Sequence, residues 1–275
     1  MCEKDIKSLF IRKFHCMGDE YFEKYKEVRC YLDPNFIKHL EQESEVESRR
    51  WELLLVYKLI KQGFNVIKSV NSKGPDFHLK VNDKNLWIEA VSPNKGNGVD
   101  KVPDISQEFK SCEDLKCKKI KSHWYQPNKM QLRLTSVLND KLLKIQGYIN
   151  ECIVNENDMV IIAINTFCLD NPTSHDEIPE IIKVLKGLGE EYFIIDSASN
   201  KVIDQGIESE SQILKSNGAI VSKGIFNGDK KYNCISAVLY SETPISSDYL
   251  LIKNPFAKTP ILSSFFDVWK SLRIF

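Results

Sequence analysis

Three things are missing from this chain of 275 residues. It has no net charge, since 38 Lys and Arg balance 38 Asp and Glu. It has no C-x-x-C pair, although it holds eight cysteines: Cys2, Cys16, Cys30, Cys112, Cys117, Cys152, Cys168 and Cys234. It has no run close to the ~20 apolar residues of a membrane span. The neutral balance means that any nucleic-acid partner would need a local basic surface rather than a basic protein. Scattered cysteines and five scattered histidines argue against a structural zinc site. The opening "MCEKDIKSLFIRKFHC" lacks the apolar stretch of a secretory signal. The expectation is a cytoplasmic protein with reduced thiols and no membrane partner, with export by other routes left open. No internal repeat is visible.

What is present is an ordered set of helix and strand patterns. Residues 1–43 are charged with interspersed aromatics and are expected to form an N-terminal helical arm. Residues 44–62, "SEVESRRWELLLVYKLIKQ", predict a strong helix with Ser44 and Glu47 as a capping box and Gly63 as its stop. Three strands are expected next, over residues 64–70, 76–81 and 85–91, the last two joined as a hairpin by Asn82-Asp83. Residues 92–128 have loop composition and form an expected insertion. A helix over residues 129–150 and a continuously apolar strand over 158–167 follow. A helix over 177–188, strands over 191–199 and 233–242, and an amphipathic closing helix complete the pattern. The fold class expected is α/β, a central mixed sheet flanked by helices, in a single domain over 44–275. Its core would span about 44–167, with a C-terminal extension over 168–275.

Three acids break this pattern. On a helical wheel with Glu52 at zero, Leu55, Val56 and Leu59 fall at roughly 300°, 40° and 340°. Glu52 therefore points with the packed face, where an unpaired carboxylate is costly. A buried salt bridge is the plain alternative to a functional role. Asp76 follows Pro75 at a strand entrance, where a simple turn role is the alternative. In "LWIEAV", Ile88 and Ala90 share one face while Trp87, Glu89 and Val91 share the other, and both faces are apolar except at Glu89. The hairpin can bring Asp76 and Glu89 together. Two close carboxylates raise each other's pKa, and a divalent cation relieves the repulsion. On this reasoning, removing Glu89 is expected to spare the fold or even stabilise it.

The residues Glu52 in "RRWELLL", Pro75-Asp76 and Glu89 in "WIEAV", in this order, resemble the PD-(D/E)xK nuclease superfamily. The resemblance covers about residues 44–167. It implies a restriction-endonuclease-like core of order αβββαβ and metal-dependent cleavage of nucleic acid, DNA ahead of RNA. It implies Mg²⁺ or Mn²⁺ held by Asp76, Glu89 and Glu52, and homodimers as a means of cutting two strands. The family's lysine, two residues after the second acid, is absent, since Val91 stands there. Lys141, on the apolar stripe of Val137, Leu138 and Ile145, is the expected replacement for activating water, with snorkelling to solvent as the alternative. Arg133 lies within roughly 80° of Lys141 on the wheel and can contact phosphate. Gln131 and Lys95 are weaker replacements.

Residues 112–129 interleave Lys118, Lys119 and Lys121 with Trp124 and Tyr125. Lysines can hold phosphates and aromatics can stack on bases, although a solvated charged loop fits the same composition. Because of Val91, two alternatives to a working nuclease stand: an inactive relative that binds nucleic acid or protein, and an effector or toxin component.

Overall fold

The structure, a computed structural model, describes residues 1–67, 73–103, 126–169, 178–243, 249–262, 265 and 272–274. It is an α/β fold that divides into two compact units. Unit 1 comprises Met1–Pro93, Asp140–Cys168 and Asn233–Phe275; unit 2 comprises Asn94–Asn139 and Leu169–Tyr232.

Unit 1 is built on a mixed sheet of seven strands. They are β1 (Asn65–Ile67), β2 (Phe77–Val81), β3 (Lys84–Val91), β4 (Met159–Asn165), β9 (Ala237–Ser241), β10 (Tyr249–Lys253) and β11 (Leu272–Ile274), in that spatial order. β2 runs antiparallel to its neighbours β1 and β3, and β4 runs parallel to both β3 and β9. Asn82 and Asp83 both take positive φ, 47° and 60°, as a two-residue hairpin turn of the twist-matching kind requires. All seven residues of β4 are buried, as a strand covered on both faces demands.

Helix α4 (Val46–Lys61) covers one face of the sheet. Leu53, Leu55 and Leu59 join Leu79, Leu86, Ile88 and Ala163 in the core, and the Trp51 indole N–H donates to the Ala163 carbonyl at 3.0 Å. Ser44 does not cap this helix. Glu43–Glu45 tighten into a 3₁₀ turn, and the nearby acids pair instead with the helix's own arginines, Glu45 with Arg49 and Glu47 with Arg50. Residues 1–43 form α1 (Glu3–Phe14), α2 (Gly18–Val28) and α3 (Phe36–Leu40). They are part of unit 1 rather than a separate arm, because Leu9, Phe10, Phe22 and Phe36 are buried in the same core. Asn233–Phe275 are equally part of unit 1, since β9 and β10 extend the sheet beyond β4. The chain does not close as a helix throughout: Leu272–Ile274 pair with β10 as a parallel strand.

Helix α5 (Pro127–Asn150) starts in unit 2 and ends in unit 1. Unit 2 also holds α6 (Glu180–Lys186), the antiparallel ribbon β5 (Leu188–Asp196) with β6 (Lys201–Ser209), and the short pair β7 (Gln212–Leu214) with β8 (Ile220–Ser222). Gly187 ends α6 in the left-handed region at φ 66°, which a side chain would strain. Within unit 2, the buried Gln131 side-chain N–H donates to the Glu180 carboxylate at 2.5 Å, and Lys183 bridges Glu180 and Glu190.

Candidate functional site

The hairpin register sets the geometry of the site. Phe77 pairs with Ile88, and both turn into the core beneath α4. One step back along each face, Asp76 and Glu89 turn to the opposite side of the sheet. The backbone N–H of Ala90 donates to Asp76 Oδ2 at 2.7 Å, which fixes the aspartate against β3. Gly74 makes this approach feasible. Its φ of +125° is hostile to side chains, and a Cβ there would meet Ile153 Cγ2 at 3.2 Å.

Glu89 is completely buried. Its Oε1 accepts from two ammonium groups of α5, Lys141 Nζ and Lys144 Nζ, each at 2.7 Å. Its Oε2 is buried and accepts no hydrogen bond among the described residues. Val137, Leu138, Leu142 and Ile145 are buried along the same helix, so apolar packing carries the two lysines to the carboxylate. Their exposures differ: the Lys141 side chain is 18% accessible and that of Lys144 is 46%.

Burial raises the Asp76 carboxyl to about 6; the neighbouring Glu89 charge adds to the rise, and Lys141, Lys144 and the Ala90 N–H oppose it. Glu52 is pushed well above the usual carboxylate range, first by burial and then by Asp76, while Arg49 and Lys141 pull it down. Burial would lower the Lys144 ammonium, but the Glu89 and Asp76 charges prevail and raise it. Tyr148, half-buried, is raised by burial and then by Glu89, and the Lys144 ammonium stands 5.7 Å from its ring centre. Asp76, Glu89, Glu52, Lys141 and Lys144 thus form one electrostatically coupled cluster.

Among the described residues, no group of three or more His, Cys, Asp or Glu side chains is placed to hold a metal ion. Glu52 is engaged within its own helix, where its Oε2 accepts from Arg49 Nη1 at 2.7 Å, an i, i+3 pair within α4. Asp76 and Glu89 still suit a small hard cation. The free Oε2 is a negative acceptor with no partner among the described residues, and Mg²⁺ needs only one or two carboxylates beside its waters.

Arg133 belongs to unit 2, where its guanidinium donates to the Asn94 carbonyl at 2.7 Å and to Asn94 Oδ1 at 2.9 Å. Lys95 is also in unit 2, in the adjoining loop, and its carbonyl accepts from Val102 N–H. Lys118, Lys119, Lys121 and Trp124 lie outside the described residues. Lys144 and Arg49 are absent from the sequence expectations. Each stands three residues from a residue that is present there, Lys141 and Glu52, so the helix period held the signal.

Beside the acids, His78 and Trp87 stack at 3.9 Å between ring centres. Asp158 accepts from the Trp87 indole N–H at 2.8 Å and from the Asn85 amide at 3.1 Å, tying β3 to the start of β4. This network holds the strand that carries Glu89. No helix among the described residues is long and apolar enough to cross a membrane. No family model, no curated protein and no solved structure matches the chain.

Proposed function

We propose that unit 1 is a divalent-metal-dependent phosphodiesterase acting on nucleic acid, with DNA ahead of RNA as substrate, on a restriction-endonuclease-like core. The observation that carries this reading is the partly buried Asp76 at the entrance of β2 facing the fully buried Glu89 of β3, whose Oε2 has no hydrogen-bond partner among the described residues and whose Oε1 takes two lysines from α5. Among the described residues the succession α4, β1, β2, β3, α5, β4 supports it, because it is compatible with the αβββαβ order of that fold. Asp76 and Glu89 would hold Mg²⁺ or Mn²⁺. When bound, such a cation offsets charge on a phosphodiester and acidifies a water.

The protein's own groups supply the rest. The Ala90 N–H fixes Asp76, and the carboxyl with its raised pKa is poised to lose its proton in favour of a cation. Lys141 takes the role left open at Val91: its ammonium reaches the Glu89 carboxylate from α5 and can orient an attacking water or steady charge on a phosphoryl oxygen. Arg49 offsets the charge of Glu52 when that carboxyl is ionised.

The test measures Mn²⁺ binding by electron paramagnetic resonance, together with cleavage of single- and double-stranded DNA and RNA. Wild type is expected to bind and cut, and Asp76→Asn or Glu89→Gln to lose activity by about 100-fold or more while remaining folded. Failure of wild type to bind Mn²⁺ or to cut any substrate would overturn the proposal. A second reading has its own observation: two lysines already neutralise Glu89, as expected of an inactive relative that binds nucleic acid without metal. Binding that is unaffected by Asp76→Asn and by chelator would favour it.

A further inference from the structure

Two like charges on one carboxylate oxygen are an unusual use of a buried acid. Lys141 and Lys144 both donate to Glu89 Oε1, while Oε2 has no partner among the described residues. A distributed arrangement, one ammonium per oxygen, would satisfy both acceptors and separate the cations. The observed one concentrates positive charge on the side of the carboxylate that α5 faces. The two lysines are also unequal. Lys141 is mostly enclosed, whereas nearly half of the Lys144 side chain is accessible. A half-exposed lysine on a flexible four-carbon stem can change partner without unpacking the helix. Its present partners are Glu89 and the Tyr148 ring.

Accepting the functional reading above, we infer that Lys144 is a two-position side chain that couples phosphate binding to metal binding. Without nucleic acid it sits on Glu89 and competes with a divalent cation for the carboxylate. When a phosphodiester enters, the ammonium exchanges Glu89 for a phosphate oxygen, an acceptor that brings its own negative charge. Glu89 is then left with Lys141 alone and regains the negative charge that a cation seeks. Phosphate and metal therefore bind cooperatively, and the coupling is reciprocal. No bond is made or broken in the exchange, only ion pairs.

The experiment titrates Mn²⁺ by electron paramagnetic resonance, with and without an oligodeoxynucleotide carrying phosphorothioate linkages, on wild type, Lys144→Met, Lys144→Arg and Lys258→Met. In wild type the oligonucleotide is expected to tighten Mn²⁺ by roughly fivefold or more. Lys144→Met is expected to bind Mn²⁺ more tightly than wild type without oligonucleotide and to lose most of the coupling. Lys144→Arg, which keeps the charge, retains coupling, and Lys258→Met, an exposed lysine paired with Glu156, behaves as wild type. If Lys144→Met keeps wild-type Mn²⁺ affinity and coupling, the exchange is overturned while the metal site stands. If wild type binds no Mn²⁺ under either condition, the functional reading falls and this inference with it.

Discussion

Asp76 shows how a single partly buried acid makes stability depend on pH. Its carboxyl stands near 6 in the folded protein, against the ordinary 3.8. Between those values the folded state holds a proton that the unfolded state has lost. The associated stability is therefore present at low pH and is lost as pH rises through about 6. The interval corresponds to about 3 kcal/mol. Glu52 shifts in the same direction. Thermal melts without divalent metal are thus expected to show wild type losing stability from pH 4 to pH 7 relative to Asp76→Asn, which keeps an acceptor for the Ala90 N–H. Parallel curves for the two proteins would show that Asp76 does not titrate in this range. Glu89 behaves oppositely to what its sequence context suggests. Carboxylate repulsion alone would make its removal harmless, but two ammoniums lean on it. Glu89→Ala is expected to lower stability by about 1–3 kcal/mol, less than for a fully buried pair because Lys144 can return to water. A chemical denaturation midpoint unchanged from wild type would contradict this.

At the scale of elements, helix and strand periods made much of the site legible. The alternation in "LWIEAV" placed Ile88 and Ala90 in the core and turned Glu89 to the other face, as observed. The helix wheel placed Glu52 inward and Lys141 on a packed stripe. What the sequence did not reveal was pairing. Arg49 and Lys144 choose their partners by side-chain reach across a turn or a sheet, and periodicity fixes direction rather than distance. The start of α4 was hidden for a similar reason: Glu45 and Glu47 find arginines within the helix, so a serine cap is not needed. The turn before β2 is a place where backbone conformation governs chemistry. Gly74 at φ +125° leads through Pro75 into Asp76, and Ile153 closes the space above it. Gly74→Ala is expected to cost about 1–3 kcal/mol and to move Asp76 away from Ala90. Faster hydrogen exchange at the Ala90 amide, out of proportion to that at Leu86 in the same strand, would reveal the movement. Equal changes at both would assign the loss to general destabilisation.

At the scale of the whole chain, the sequence suggested a core over residues 44–167 with additions at each end, and the structure makes the additions essential to unit 1. β4 is central in the sheet, with β3 on one side and β9 on the other. Its partner β9 lies more than seventy residues further along, beyond all of unit 2 after α5. Such a pairing leaves no local trace, because parallel strands need long crossovers and each strand reads only as an apolar run. Cutting the chain after Phe167 would strip β4 of the pairing that joins Ile161 through Asn165 to Ala237 through Ser241. The backbone groups along that edge would lose their partners, and buried isoleucines would face water. Removing residues 1–43 would uncover the core on another side, where Phe10, Phe22 and Phe36 pack. A fragment of residues 44–167 is therefore expected to be unfolded or aggregated, although it contains Glu52, Asp76, Glu89, Lys141 and Lys144. Dispersed amide resonances and a cooperative melt from that fragment would show the opposite. The acids and lysines are contributed by a short span, but the rigidity that holds them depends on a sheet that the chain completes only near its end.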